Sequence, residues 1–268
     1  MNIVLKVILL SALTSGSTWA SLLWSDNFDT ADTTNFDGAP LTGRLAGPLA
    51  GETYLRSFGF QQDINNNQLL LPTGDNGVRF EDATNDPTSG AADRYNWAGG
   101  SAGPAILAAG GFVVSFDWIP PENTLADWVS FQVGTVNADN GNLTDDDYGI
   151  LFRNNGGAER FDSPTNLGAG GTFAASPGGV ARAVKIVYAF TSFADGSSVQ
   201  AISSVDGTQV ANDTFTWDTN AGELRIEMGH NAANTRIDNL MVSTIPEPSS
   251  LALLGLGMLG LLLRRRIA

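Results

Sequence analysis

The chain has 268 residues, 14 Lys and Arg against 28 Asp and Glu, a formal net charge of −14, no cysteine and one histidine, His230. Without cysteine there are no thiolate metal sites, cysteine nucleophiles or disulfide staples. With one histidine a zinc site built on several imidazoles is excluded, and the acidic balance argues against nucleic acid, whose phosphates need clustered Lys and Arg.

The chain opens MNIVLKVILLSALTSGSTWA, with Lys6 near the front, an apolar stretch from Val7 to Leu13, and small or polar residues ending at Ala20. That order predicts a secretory signal peptide over 1–20, cut between Ala20 and Ser21. A body over 21–245 follows, then a tail over 246–268. Without Lys6, Glu247 and the arginines at 264, 265 and 266, the body carries 10 basic and 27 acidic residues, a net charge of −17. Charge of one sign keeps an exported protein soluble and suits divalent cations and neutral sugars better than polyanions.

Within the body, Gly, Asn, Asp and Ser fall between short apolar runs, which predicts strands joined by turns. In chain order the expected strands are Leu22 to Trp24, Tyr54 to Phe60, Gln68 to Leu71, Val78 to Glu81, Phe112 to Trp118, Trp128 to Val133 and Tyr148 to Arg153. Arg182 to Phe190, Val199 to Val205, Thr208 to Val210, Thr214 to Trp217, Glu223 to Met228 and Arg236 to Val242 complete the series. Phe112, Val114, Phe116 and Trp118 share one face, as do Val184, Ile186, Tyr188 and Phe190. Asp206-Gly207 predicts a type I′ hairpin, because both residues tolerate positive φ.

No body segment of ten or more residues keeps helical periodicity without glycine, so parallel βαβ folds are disfavoured. The expected fold is all-β, an antiparallel β-sandwich. Domain length favours a jelly roll over an immunoglobulin-like arrangement. FVVSFDW at 112–118, DYGILFRNNGG at 147–157, VDGTQV at 205–210 and RIDNLMVS at 236–243 resemble the concanavalin-like or laminin-G-like sandwiches of secreted proteins.

Three kinds of chemistry are candidates. In the strand GELRIEM, Glu223, Arg225 and Glu227 project from one face. Glu223-Leu224-Arg225-Ile226-Glu227 resembles the Glu-x-Asp-x-Glu strand of retaining glucanases, with Arg225 in place of the central aspartate. A guanidinium there favours ionised carboxylates, the opposite of what a general acid needs, so a charge ladder is the preferred reading. Calcium is the expected cofactor if there is one. Its oxygen donors would come from the acidic loop with Asp139, Asp145, Asp146 and Asp147, or from Asp26 or Asp29 joined to Asp238 where first and last strands meet. For glycan stacking the candidates are Trp97 and Trp128, then Tyr95 and Tyr148, while Trp118 and Trp217 read as core. His230 reads as structural.

The tail runs Pro246-Glu247-Pro248, an apolar stretch over 249–263, then Arg264, Arg265 and Arg266. Fifteen residues of helix rise about 22 Å, short of the roughly 30 Å hydrocarbon core. The prolines start the helix near Ser249, and the arginines behind it would stop translocation with their charges on the cytoplasmic side. These parts, in this order, closely resemble the PEP-CTERM sorting signal of exported Gram-negative bacterial proteins. That resemblance implies recognition and cleavage near Pro-Glu-Pro by an exosortase, transient inner-membrane anchoring through the helix, and delivery to the cell surface or an extracellular polysaccharide matrix. The expected function is therefore that of an exported, non-catalytic surface or matrix protein associating with exopolysaccharide. The alternative is a glycan hydrolase using Glu223 and Glu227.

Overall fold

The structure is a computed structural model that describes residues 20–29, 52–55, 63–71, 76–82, 102–121, 128–134, 147–162, 165–175, 178–217, 225–230 and 235–246. Among them one sheet is built from β1 (Leu22–Asp26), β3 (Asp63–Asn65), β4 (Gln68–Leu71), β6 (Gly111–Ile119), β11 (Arg182–Ala189), β12 (Ser198–Val205), β13 (Thr208–Thr216) and β15 (Thr235–Thr244). The other holds β2 (Glu52–Leu55), β5 (Asn76–Asp82), β7 (Trp128–Gly134), β8 (Tyr148–Arg153), β9 (Gly157–Asp162), β10 (Thr165–Thr172) and β14 (Arg225–His230). The eight-stranded sheet runs β13-β12-β11-β6-β15-β4-β3, with β1 added alongside β15; the seven-stranded sheet runs β10-β9-β8-β7-β14-β5-β2. Neighbours within each sheet pair antiparallel throughout.

Period-two alternation explains why the sheets stack. Phe112, Val114, Phe116 and Trp118 of β6, Val184, Ile186 and Tyr188 of β11, Val129, Phe131 and Val133 of β7, and Tyr148, Ile150 and Phe152 of β8 all enter one buried cluster. Each such side chain contributes about 1.5–3 kcal/mol through burial. Aromatic contacts bridge the layers: Tyr148 stacks on Phe215 at 5.0 Å and Phe131 on Phe116 at 6.1 Å. The body is thus an antiparallel two-sheet β-sandwich, with more strands in its two sheets than the about seven to nine of an immunoglobulin domain.

β4 and β8 match the predicted spans, and the Asp206-Gly207 hairpin has φ of 49° and 77°, the signs a type I′ turn requires. Thr208 to Val210 and Thr214 to Trp217, expected as two strands, are joined in β13 through Asn212 and Asp213. Three strands lie outside the sequence expectation. β9 and β10 carry no clean apolar alternation, and β3 is three residues closed onto β4 by Asn66 and Asn67 at φ of 53° and 58°. A short helix, α1 (Gly103–Ala109), also appears: Pro104 opens it, Gly110 at φ 76° ends it, and Ile106 plugs it into the core.

Two interior-edge features tie the sheets. Gly170 and Gly171 of β10 lie so close to β13 that a Cβ on Gly170 would sit 2.7 Å from the Val210 carbonyl oxygen. Beside them, Asp213 of β13 accepts from Tyr148 Oη at 2.9 Å and from Arg160 Nη1 of β9 at 2.5 Å.

Candidate functional site

The seven-stranded sheet turns its second face away from the core. On β7, Trp128, Ser130 and Gln132 alternate with the core residues, and Gly149, Leu151 and Arg153 do the same on β8. Leu151 and Phe161 are buried there, and half-buried Trp128 packs against them. Ser130 and Gln132 are fully buried, with Gln132 Nε2 donating to Ser130 Oγ at 3.2 Å. Arg153 and Glu159 form an ion pair at 2.7 Å. Trp128, the expected glycan platform, is thus an aromatic with an apolar underside and part of its surface open to water, the form in which a ring can stack on a sugar face.

Glu227 lies on β14, at the position alternating with core-facing Met228, and its cross-strand partners are Gln132 and Arg79. The register therefore places an arginine, rather than a second carboxylate, directly opposite it. Glu223 lies outside the described residues. His230 ends β14 opposite Val129 and Asn76.

The second candidate lies where β1 and β4 follow one another along β15. There Asp238 is opposite Asp117 of β6, and a bulge puts Asn239 at φ 50°. Asn239 Nδ2 donates to Asp117 Oδ2 at 2.8 Å and its backbone N–H to Asp238 Oδ1 at 2.7 Å. Burial above all raises the Asp238 pKa above the usual carboxylate value; the charges of Asp117 and Asp29 add to the rise, and the bonds from Asn239 and Gln68 oppose it. Buried Asp26 instead accepts from Phe28 N–H at 2.8 Å, and Asp29 accepts from Asn27 Nδ2 at 2.6 Å. β1 lies against β15, and the charges that act on Asp238 are those of Asp29 and of Asp117, a residue the sequence reading did not include. Asp117 sits on the polar side of the clearest alternating strand, which is the signal that could have found it. Among the described residues, however, no group of three or more His, Cys, Asp or Glu side chains is arranged to hold a metal ion. Asp117, Asp238, Asp26 and Asp29 each accept from the neighbouring donors named above.

Of the acidic loop, Asp147 is described and is buried at the start of β8; Asp139, Asp145 and Asp146 lie outside the described residues. Trp97 and Tyr95 lie outside them too. Tyr148 is corrected from glycan candidate to core residue: it shares its strand face with Ile150 and Phe152 and is 0% exposed. Trp118 and Trp217 are core, as expected.

At the chain's two junctions, Ala20 is half-buried, Ser21 is exposed and meets Thr244, and Pro246 is exposed. The expected signal peptide up to residue 19, Glu247, Pro248, the apolar stretch 249–263 and Arg264 to Arg266 lie outside the described residues. Within those residues no helix is long and apolar enough to cross a membrane.

Residues 244–266 match the PEP-CTERM protein-sorting motif. Comparison with curated proteins gave no match. Among solved structures, the chain is similar to the carbohydrate recognition domain of Emp47p, with a TM-score of 0.46 and 11% identity over 86% of this chain and 99% of that one. It is similar to a protein of unknown function from Shewanella oneidensis MR-1, with a TM-score of 0.46 and 13% identity over 92% and 96% of the two chains. It is also similar to Trypanosoma rangeli sialidase in complex with the inhibitor DANA, with a TM-score of 0.47 and 12% identity over 90% of this chain and 33% of that one.

Proposed function

We propose that this is an exported protein that an exosortase sorts to the cell surface or extracellular matrix, and that its body associates there with polysaccharide without cleaving it. The observation that carries the reading is the sorting motif over 244–266, with Pro246-Glu247-Pro248, the apolar stretch and the three arginines in order. In this reading the signal peptide is removed after Ala20 and the apolar stretch holds the chain briefly in the inner membrane, its arginines on the cytoplasmic side.

The body suits that destination. Its acidic charge repels polyanions but not neutral sugars, and its lack of cysteine leaves a large aromatic core to hold it without disulfides. Trp128 supplies a stacking surface, with Trp97 as a second aromatic from the sequence. The absence of catalysis is part of the proposal. Hydrolysis would need Glu223 and Glu227 as acid and nucleophile, and the register sets Arg79 opposite Glu227, with Arg225 where the glucanase strand has its aspartate.

The test is a fractionation and a binding assay. Cells with exosortase should yield a shortened protein in the surface or matrix fraction, and cells without it should keep the longer form in membranes. The purified body, applied to a glycan array with calcium and again with chelator, should bind without releasing reducing ends. Silence on every glycan would sink the polysaccharide reading, and an unchanged melting temperature in chelator would sink the calcium expectation. Reducing ends released by wild type and lost in Glu227→Gln would establish the hydrolase instead.

A further inference from the structure

The two ends of the body are bonded to each other. Ser21 N–H donates to Thr244 Oγ1 at 2.8 Å, and Thr244 N–H returns a bond to the Ser21 carbonyl oxygen at 2.9 Å. From there β1 runs along β15, with Leu22 opposite Ser243, Trp24 opposite Val242 and Asp26 opposite Leu240. On the other side, Ile245 N–H donates to the Gly111 carbonyl oxygen at 3.2 Å. Thr244 is 4% exposed, Ile245 is half-buried, and Pro246 is exposed.

The sorting motif begins at Thr244, so its first two residues are also the end of the folded body. From Ile245 to Ser249, where the apolar stretch starts, the chain can reach about 14 Å at about 3.5 Å per residue. A processing enzyme that reads an extended segment does so through main-chain N–H and C=O groups. At Thr244 and Ile245 the N–H groups are already engaged.

We propose that closure of β1 and β6 onto the end of β15 is a latch on maturation. The folded body withholds Thr244 and Ile245 from the exosortase, and the cut near Pro246-Glu247-Pro248 proceeds from molecules in which this end has frayed away from Ser21 and Gly111. In the cut a peptide C–N bond breaks, the acyl carbon passes to water or an acceptor amine, and the tail leaves with the new amino group and its proton. The latch touches none of those atoms and acts on access alone. The inference rests on the sorting reading and adds that the substrate's own fold sets the rate.

The experiment follows tail loss from the full-length precursor in membranes that contain exosortase. Thr244→Val keeps the branched side chain and removes the oxygen to which Ser21 donates. A flexible Gly-Ser insertion of about six residues between Ile245 and Pro246 moves the processing site off the body and leaves the motif from Pro246 onward intact. Both should speed tail loss, Thr244→Val by about fivefold for one hydrogen bond and the insertion by more. A cooperative melt of each variant establishes that the body is still folded. Equal rates in wild type, Thr244→Val and the insertion variant, with tail loss still dependent on exosortase, would overturn the latch and leave sorting in place. A tail that persists identically with and without exosortase would remove the sorting reading and the latch with it.

Discussion

Replacing Asp213 with alanine should cost the body about 3 kcal/mol, because two donors from the opposite sheet converge on that one carboxylate. Tyr148, fully buried, gives its hydroxyl to Oδ2, and Arg160 gives Nη1 to Oδ1. The second guanidinium nitrogen, Nη2, reaches the carbonyls of Leu167 and Ala169, neither of which carries a charge. Hydrogen bonds to charged groups are worth about 1.5–3 kcal/mol, and removing one partner of a buried ion pair costs about 3–5 kcal/mol. The Asp213 side chain is 9% exposed but that of Arg160 is 24%, so water can partly replace the lost anion and the lower end applies. For a domain of this size, about 3 kcal/mol lowers the melting temperature by about 6–12 °C. Thermal unfolding of the purified body, followed by circular dichroism, measures it directly. Tyr148→Phe alone should lose about 1.5 kcal/mol, the low end for a bond to a charged group. In the double variant the two losses should fall short of their sum, since one bond would be counted twice. The pH arm gives an independent check. Burial first, and then the Asp213 charge, hold the Tyr148 phenol protonated far above its usual range. Its stabilising contribution is therefore full below the unfolded value of about 10 and declines as pH rises beyond it. Tyr148→Phe lacks that decline, so the gap between wild type and variant should close in alkali. An Asp213→Ala melting temperature within about 2 °C of wild type would refute the account of how the sheets are tied.

Other substitutions probe other parts of the molecule. Gly111→Ala should destabilise by at least about 2 kcal/mol in the same thermal assay, because φ is 132° and a Cβ would overlap the Tyr188 carbonyl oxygen. Asp238→Asn should stabilise modestly at neutral pH, by a fraction of a kcal/mol. Its carboxyl titrates above the usual value in the fold, so the wild type is relieved of that repulsion below the unfolded pKa and suffers it as pH rises. Melting curves from pH 3 to 7 should therefore show the gain vanish in acid. Trp128→Ala should weaken retention on the preferred polysaccharide by about fivefold or more, measured by affinity electrophoresis, if its ring is a stacking surface.

Much of the fold could be read because β6, β7, β8, β11 and β12 are inner strands whose apolar residues alternate cleanly, and because Asp-Gly marks its turn unambiguously. β9 and β10 escape such reading for a physical reason. TNLGAGGT is the border strand of its sheet and GAERFD lies just inside it; there Arg160 reaches across to Asp213, glycines permit close approach to β13, and Ala158 and Phe161 are the buried apolar residues of GAERFD, too few to make an alternating pattern. Tyr148 misleads as an isolated aromatic, although its period-two partners Ile150 and Phe152 already assign it inward. The tie at Asp213 depends on residues 53 and 65 positions away in the chain and on burial, and no local spacing encodes it. Asp117 and Asp238 meet only through the register of β6 with β15, which a strand pattern alone leaves open.

The glycines of β10 have a consequence for a protein destined to accumulate outside the cell. A long border strand with unsatisfied main-chain groups is a template on which another copy can add. Here β10 breaks register with β9 twice, turns at Gly168 with φ 84°, and lays Gly170 and Gly171 against β13, while the opposite borders end in β2 and β3, of four and three residues. β13, nine residues long, is the remaining border, and a register shift with β12 and the approach of β10 at Val210 interrupt it, so among the described residues no border is an uninterrupted straight ladder. At high concentration such molecules should stay separate particles and not polymerise into fibrils.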